Sequence, residues 1–336
     1  MHYISDIFSR AFKSFLNALE KSERLVIMQN FILFITCTLI WGGNYFATKY
    51  QYGVVASEYS VLFRLLIAFV LFLILNGMFK NTKKKLSFSD HSTLALFGTF
   101  SFSVNYILFY YAAGYLISSY IVIIFSVKSI ISPILFSIIK RQKLSRNLIA
   151  GALISIVGVV FLLKDSFQNA HLSFYGIILA LLGTVLTSIG DVFSMKNVEK
   201  DIPPIQANMW GLFYSILIMT FYTSIFIPQK ITVISTVGSS YYLSLLYLAV
   251  FASFLAWLCF LNLIKRIGAA NASYMVTLFP AVGIILSILF ENLNITGNLI
   301  FGLCLQLIGS FIAFYRQIIN SIQKFSTKKA TIANVE

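Results

Sequence analysis

Ten mostly apolar stretches follow one another along this chain, each roughly as long as the 20 residues that cross the hydrocarbon core of a bilayer. Because no water reaches the bilayer core, such stretches must form helices that satisfy their own backbone groups. Only 11% of the 336 residues are charged, against about 25% in soluble domains. The sequence therefore predicts an all-α membrane protein with ten transmembrane helices. The predicted spans lie near 26–48, 58–79, 92–112, 116–139, 147–163, 175–195, 205–227, 241–263, 268–290 and 297–315.

Positive charge is distributed unevenly between the two sides of the predicted membrane. When Lys and Arg are counted by connecting segment, twenty fall on one side, and only Lys49, Lys164 and Lys230 fall on the other. Because cytoplasmic segments collect positive charge, both termini are predicted to be cytoplasmic. The net charge of +14 lies between apolar spans and not on a basic face interleaved with aromatics, so nucleic acid is excluded as a partner. The expected partners are the lipid bilayer and a small-molecule substrate.

Two segments lie outside the predicted spans. Residues 1–24 place apolar side chains at helical spacing opposite Arg10, Lys13 and Lys21, which is typical of an amphipathic helix on the cytoplasmic membrane surface. An ordinary solvated helix is the alternative. Residues 317–336 form a predicted cytoplasmic tail, whose last segment, "STKKATIANVE", is expected to lack fixed structure. The three cysteines are isolated in apolar runs, so no disulfide, metal site or cofactor is expected.

The chain contains an internal repeat. The segments "NLIAGALISIVG" at 147–158 and "NLIFGLCLQLIG" at 298–309 share two glycines and the tripeptide Asn-Leu-Ile at an offset of 151. The two halves, 25–163 and 175–316, each hold five predicted spans, and this odd number requires the second half to insert with the opposite orientation. Inverted repeats of this kind allow a site near the midplane to open to either side.

A second pair of matching segments lies near the start of each half. "GGNYFATK" and "IGDVFSMK" align at an offset of 147, which places Asn44 opposite Asp191. Asp191 is the only carboxylate well within a predicted span, so it is the candidate for carrying a coupled proton. An exposed acid at the cytoplasmic end of the sixth span is the alternative interpretation.

Several of these segments resemble a known family. The run "WGGNYFATK" in the first span, the arginine in "VLFRLLIAF" in the second, and the paired segments that begin "YLISSYIVIIFSVKS" and "RIGAANASYMVTLFP" are similar to the drug/metabolite transporter superfamily, EamA type. The resemblance covers roughly residues 30–315. It implies ten helices as two inverted repeats, a central cavity, and movement of small metabolites, often amino acids outward, across a bacterial inner membrane. The chain departs from the usual pattern by placing Lys128 and Asp191 within spans.

Lys128 lies at the midpoint of the fourth span, too far from either interface for its ammonium to reach water easily. It is therefore expected to face a wet cavity, and we assign it to a substrate carboxylate; a buried lysine tied to backbone carbonyls or a tyrosine is the alternative. Pro133 in the same span and Pro280 in the equivalent ninth span are expected to interrupt their helices. Interrupted helices at matching positions of two repeats indicate a binding region.

Other polar and aromatic residues within the spans complete the candidate site. Arg64 lies near the outer end of the second span, where reaching headgroups is the alternative to a gating role. Glu58 and Glu291 are expected to be solvated at the outer rim. Helix packing is the alternative for the remaining candidates, which are expected to form the rest of the pocket. These are Trp41, Asn44, Asn105, Tyr106, Tyr110 and Trp257.

Together these features predict a secondary transporter that exports an amino acid or related metabolite by alternating access. Uptake of a nucleoside-like or S-adenosylmethionine-like metabolite that meets Asp191 is the alternative within the same architecture. An intramembrane enzyme is disfavoured because His2, His91 and His171 all lie outside the spans and no nucleophile–base cluster is apparent. An ion channel is disfavoured because no ring of like charges is apparent.

Overall fold

A computed structural model describes residues 28–78, 84–168, 174–227 and 237–313 of the chain. The predicted N-terminal surface helix and the C-terminal tail lie outside these residues. Within them every element is helical and no strand is present. The principal helices are α1 (Met28–Lys49), α2 (Ser57–Met78), α3 (Phe88–Ala112), α4 (Ser118–Ile139), α5 (Arg146–Gln168), α6 (Phe174–Glu199), α7 (Pro204–Phe226), α8 (Ser239–Ile267), α9 (Met275–Phe290) and α10 (Gly297–Ala313).

These helices confirm a multi-pass helical membrane protein. Helices α1 to α8 are each long and apolar enough to cross a bilayer, whereas α9 and α10 are shorter apolar helices, so the count of ten spans stays a prediction. Side chains on the outside of the bundle are apolar, as Leu153, Ile156 and Val160 of α5 illustrate, and this surface suits lipid contact.

We name the two ends of the bundle according to the orientation that the distribution of Lys and Arg predicts. The end with Lys49 is the outer end, and the end with Lys140 is the cytoplasmic end.

The glycines of the repeated motif pack against each other. A Cβ atom added to Gly151 of α5 would lie 2.3 Å from the carbonyl oxygen of Gly309 of α10, and one added to Gly158 would lie 2.7 Å from that of Gly302. Only glycine permits such close approach of two helices. Gly151 and Gly302 are repeat equivalents, as are Gly158 and Gly309. The contact between Gly151 and Gly309 therefore corresponds, under the offset of 151, to the contact between Gly302 and Gly158. This reciprocal pattern is the signature of two-fold symmetry and makes α5 and α10 antiparallel, as the inverted repeat requires.

Helices α4 and α9 are both interrupted, at positions that correspond under the offset of 151. A turn at Val127 divides α4, and α9 changes from a 3₁₀ segment ending at Leu278 to an α-helix starting at Phe279. The location of the break in α4 differs from the prediction, because Pro133 lies inside the helix that follows the break. Pro280 lies in the first turn of its helix, where the missing N–H has no cost. The break in α4 therefore lies closer to the midpoint of the helix than Pro133 indicates, whereas the break in α9 lies directly before Pro280.

A second matched irregularity occurs in the third helix of each repeat. Helix α3 contains a π-helical stretch at Thr99–Ser103 and α8 contains one at Tyr247–Leu255. Under the repeat offset of 151, the residues of the first stretch correspond to residues within the second. Such wide turns in helices are frequent at functional sites because they redirect side chains and backbone carbonyls. The two stretches lie beside the cavity described next.

Candidate functional site

A cavity of about 40 Å³ lies inside the bundle, lined mainly by the first half of the chain and completed by Thr187 and Trp257 of the second half. A space of this size holds on the order of three water molecules. The structure brings all seven predicted binding residues to its wall, together with Arg64, whereas Asp191, Pro133 and Pro280 do not line it. The lining residues are Trp41, Asn44, Tyr45, Thr48, Arg64, Asn105, Tyr106, Phe109, Tyr110, Phe125, Lys128, Thr187 and Trp257.

The aromatic wall of the cavity is held by hydrogen bonds across the repeats. Trp41 donates its indole N–H to the carbonyl oxygen of Ala252 at 2.9 Å, next to the π-helical backbone of α8. Trp257 donates to the hydroxyl of Tyr106 at 3.2 Å, and these two residues are repeat equivalents. The rings of Trp41 and Trp257 meet edge to face with centroids 5.3 Å apart. Both indoles have protein partners, so the tryptophans offer mainly ring faces to a ligand.

Arg64 lies fully inside the protein, with 1% of its surface exposed. Its Nε donates to the hydroxyl of Ser253 at 2.6 Å, its Nη2 donates to Oδ1 of Asn44 at 3.0 Å, and its guanidinium lies 4.1 Å from the ring centre of Tyr106. The alternative that this side chain reaches headgroups is therefore wrong. Among the described residues no carboxylate forms an ion pair with Arg64. A buried cation held only by neutral partners is costly, and its remaining N–H groups can bind an anion.

Lys128, by contrast, already has an anionic partner. Its Nζ lies 3.0 Å from Oδ1 of Asp191, and the hydroxyl of Ser132 donates to Oδ2 of the same carboxylate at 2.8 Å. Both charged side chains are at most 3% exposed. The alternative of an exposed helix-end acid is wrong for Asp191. Within the described part of the chain, the partner of Lys128 is this carboxylate and not a carbonyl or a tyrosine. This ion pair could have been predicted from the sequence, since two opposite charges inside predicted spans are expected to pair.

The repeat alignment explains why only one of the two cations is neutralised. Asp191 of α6 and Asn44 of α1 occupy equivalent positions, and each contacts one buried cation. The carboxylate of Asp191 forms an ion pair with Lys128, and the amide oxygen of Asn44 accepts from Arg64. The carboxylate balances the charge of Lys128, whereas the amide leaves that of Arg64 unbalanced. Arg64, Lys128 and Asp191 together therefore carry one net positive charge around the cavity.

Asn105 and Tyr110 combine packing with cavity lining. Asn105 donates from Nδ2 to Oγ1 of Thr187 at 3.1 Å and so links α3 to α6, while its Oδ1 has no partner among the described residues. Tyr110 donates to Oε1 of Gln51 at 2.6 Å. Asn105 therefore forms a hydrogen bond between helices and also lines the cavity, so helix packing and pocket lining both apply to it. Thr187 was missed by the sequence analysis because a threonine inside a span carries no signal of its own.

Glu291 is enclosed at the outer end, and the expectation of a solvated acid is wrong. It pairs with Lys49 at 2.7 Å and accepts from Ser118 Oγ at 2.5 Å and from Ser287. Because Lys49 and Ser118 belong to the first half of the chain and Glu291 to the second, we call these contacts the outer latch. Burial raises the pKa of Glu291, but the hydrogen bonds from Lys49, Ser118 and Ser287 outweigh it and leave the pKa below its usual range. Glu58 is likewise buried and accepts from Tyr111.

A second set of contacts joins the two halves at the cytoplasmic end. Asp90 caps the start of α3 by accepting from the backbone N–H of Ser87 at 3.0 Å, and it pairs with Lys84 and Lys200 at 3.5 and 3.3 Å. Gln206 of α7 also exchanges hydrogen bonds with the backbone of Lys84. We call these contacts the cytoplasmic latch. The cavity thus lies between two sets of polar contacts, one at each end of the bundle.

Comparisons with known proteins agree with this architecture. The model of the EamA-like transporter family matches residues 29–164 and 174–315. A protein of Clostridium kluyveri named as an uncharacterized transporter is 24% identical over 70% of this chain and 76% of its own length. A probable amino-acid metabolite efflux pump of Escherichia coli is 26% identical over 51% of this chain and 58% of its own. A solved crystal structure matches with a TM-score of 0.61 at 16% identity, over 84% of this chain and 96% of the other, which is a likeness of fold alone.

Proposed function

Because the chain belongs to the EamA-like transporter family, we propose that it exports an amino acid or a closely related metabolite across a bacterial inner membrane by alternating access. The observation that carries this proposal is the buried Arg64, whose charge no described carboxylate balances and whose guanidinium lines the cavity. Such a group suits the carboxylate of a substrate. The name of the Escherichia coli relative, an amino-acid metabolite efflux pump, supports the same substrate class and direction.

The charge balance favours Arg64 over Lys128 as the partner of that carboxylate. Lys128 would have to leave Asp191 before it could bind an anion, and separating a buried ion pair exposes both charges to an apolar surrounding. Arg64 forms no ion pair with a described group, so it can bind a carboxylate without first breaking one. The carboxylate group of a substrate would supply the counter-charge that Arg64 lacks among the described residues. In this assignment the Lys128–Asp191 pair joins α4 to α6, and Asp191 is the site at which a coupled proton is taken up.

The shape of the cavity favours an apolar or aromatic side chain on the substrate. Trp41, Tyr45, Phe109, Phe125 and Trp257 supply ring faces around the polar groups. The present volume of about 40 Å³ has no room for a metabolite, so the walls must separate when a substrate enters. Uptake of a cation such as S-adenosylmethionine is disfavoured because its expected contact, Asp191, is already paired with Lys128 and does not line the cavity.

Alternating access requires contacts that open at one end while those at the other end hold. The outer latch and the cytoplasmic latch have the required arrangement, since each joins the first half of the chain to the second and the cavity lies between them. In an exporter, a substrate enters through the open cytoplasmic end and leaves after the outer latch separates. The breaks at Val127 and Leu278 are matched points at which α4 and α9 can bend.

The outer latch gives a direct prediction. Glu291→Gln removes the charge that attracts Lys49, and we expect a cysteine introduced at Thr48 on the cavity wall to react roughly tenfold faster with a membrane-impermeant thiol reagent added outside cells. Glu199→Gln is the matched control, because it breaks an ion pair with Lys140 at the cytoplasmic end. Equal labelling rates in the parent and the Glu291→Gln variant would show that the outer latch does not gate access.

The lowered pKa of Glu291 predicts how the outer latch responds to pH. A carboxylate whose pKa is lower in the folded protein stabilises it above its ordinary pKa of 4.5, and the contribution is lost only as the pH falls through the lower value. The thiolate is the reactive form of cysteine, so the labelling rate of the Thr48→Cys site is divided by that of an exposed reference cysteine at the outer end measured at the same pH. We expect this ratio to stay constant between about pH 5 and 8. A marked increase on external acidification within this interval would contradict the assignment of Glu291 as an ionised latch residue.

The function itself is tested by flux in liposomes that contain the purified protein. We expect unlabelled amino acids with apolar side chains to accelerate exit of a preloaded labelled amino acid. Exchange of nucleosides or S-adenosylmethionine without any amino-acid exchange would favour the alternative substrate class. Conversion of a substrate without net movement would overturn the transport proposal.

A further inference from the structure

We propose that Asn105 binds the ammonium group of the substrate and thereby selects amino acids over carboxylic acids that lack an amine. This inference rests on the proposed function and extends it to the second polar group of the substrate. It depends on the direction in which the amide of Asn105 faces, and that direction is fixed by Thr187 and Gly183.

The hydroxyl of Thr187 determines the orientation of the amide. A threonine hydroxyl has a single proton, and Thr187 donates it to the carbonyl oxygen of Gly183 at 2.7 Å, one turn earlier on α6. Thr187 can therefore only accept from Asn105, so the NH₂ group of the amide must face it, at 3.1 Å. A flipped amide would bring two acceptors together. The carbonyl oxygen, Oδ1, is consequently the atom of this side chain that stays available.

Oδ1 of Asn105 has no hydrogen-bond donor in the described part of the chain, although the residue is only 2% exposed. An unsatisfied buried acceptor is costly, and Asn105 lines the cavity, so a donor inside the cavity is its natural partner. An ammonium group forms a strong, charge-assisted hydrogen bond with this oxygen.

The neighbouring residue brings this acceptor close to the proposed carboxylate site. Tyr106 follows Asn105 on α3, and its ring lies 4.1 Å from the guanidinium carbon of Arg64. A donor for a carboxylate, Arg64, and an acceptor for an ammonium, Asn105, therefore line the same cavity. Repulsion between the ammonium and Lys128 is reduced because Asp191 balances the charge of that lysine. The arrangement suits a zwitterion better than a simple acid.

The test compares ligands that differ only in the amine. Dissociation constants for leucine and 4-methylpentanoate, and for phenylalanine and 3-phenylpropionate, are measured on the full-length protein in lipid nanodiscs. We expect the parent protein to bind the amino acid of at least one pair roughly ten- to a hundredfold more tightly. Asn105→Leu should remove this preference by weakening amino-acid binding while leaving the affinity for the acid unchanged.

Further variants separate a role in selectivity from a role in folding. Thr187→Val removes the group that fixes the amide and should reduce the preference for the amine, whereas Thr187→Ser keeps the hydroxyl and should retain it. Asn208→Leu is the matched control, because Asn208 is a fully buried asparagine of α7 that does not line the cavity. These variants are compared only after their thermal unfolding shows a folded protein, and the Thr187 pair decides the question if Asn105→Leu does not fold.

The outcomes distinguish this inference from the proposed function. Equal affinities of the parent protein for both members of each pair, or an equal loss for both in Asn105→Leu, would overturn the role of Asn105 while leaving a carboxylate transporter in place. The absence of binding to either class, combined with binding of nucleosides, would overturn the proposed function and this inference with it.

Discussion

Replacing Arg64 with methionine is expected to weaken binding of an amino-acid substrate by roughly 30-fold to several thousandfold. Removing one partner of a buried, hydrogen-bonded charge pair costs about 2–5 kcal/mol, because the carboxylate is left inside the protein without a counter-charge. Methionine has a similar length and fills the space beside Tyr106 without charge or donors. Equilibrium binding of labelled substrate to the parent and the variant in nanodiscs measures the effect.

The controls for this prediction separate charge from geometry. Arg64→Lys keeps the positive charge but cannot donate to Ser253 and Asn44 while also presenting a planar pair of N–H groups, so its affinity should lie between those of the parent and the methionine variant. The methionine variant should remain folded, because it removes a buried charge that no described carboxylate balances. Unchanged affinity in both variants would remove Arg64 from the substrate site.

The second large effect concerns the Lys128–Asp191 pair. Lys128→Met and Asp191→Leu should each destabilise the protein by about 3–5 kcal/mol, because each leaves an unpaired charge where both side chains are at most 3% exposed. The double variant should regain most of this stability, since an apolar pair replaces the ion pair. Thermal unfolding in detergent of the parent, the two single variants and the double variant gives the coupling energy between these residues.

An exposed ion pair between the residue that follows α4 and the last residue of α6 provides the control. Lys140 and Glu199 lie 2.7 Å apart with 43% and 49% of their side chains exposed, and such surface pairs contribute about 0–1 kcal/mol. The stable double variant should also fail to accumulate substrate against a gradient in response to a proton gradient, because it has lost Asp191. Additive losses from the two single variants, or normal proton-driven accumulation by the double variant, would contradict the assigned pairing and its role in coupling.

Much of the fold could be predicted because a bilayer restricts which backbone structures can span it. Span length, the distribution of Lys and Arg, and the repeated glycine motif each follow from a single physical requirement, and they led to a helical bundle built from two repeats. Gly151 and Gly309 show why the motif was informative. Their backbones touch, so any larger side chain would separate α5 from α10. The number of spans was less certain because α9 and α10 are short.

The candidate site was predictable in its residues but less so in its contacts. Polar and aromatic side chains inside spans are costly or unusual, so Arg64, Asn105 and Lys128 could be recognised individually. Sequence position does not determine how far each helix is rotated toward its neighbours, and the Lys128–Asp191 pair depends on that rotation. Glu291 was misjudged for the same reason, since a residue just after a helix is enclosed only if other helices bring Lys49 and Ser118 to it.

Recognition of the substrate carboxylate by Arg64 can be tested by removing that carboxylate from the ligand. Binding of leucine and of leucinamide, which lacks the carboxylate, is measured on the parent protein and on Arg64→Met. We expect the parent to prefer leucine by at least about tenfold and the variant to bind both ligands with equal, weak affinity. A preference for leucine that persists unchanged in Arg64→Met would contradict the central claim, because another group would then be holding the carboxylate.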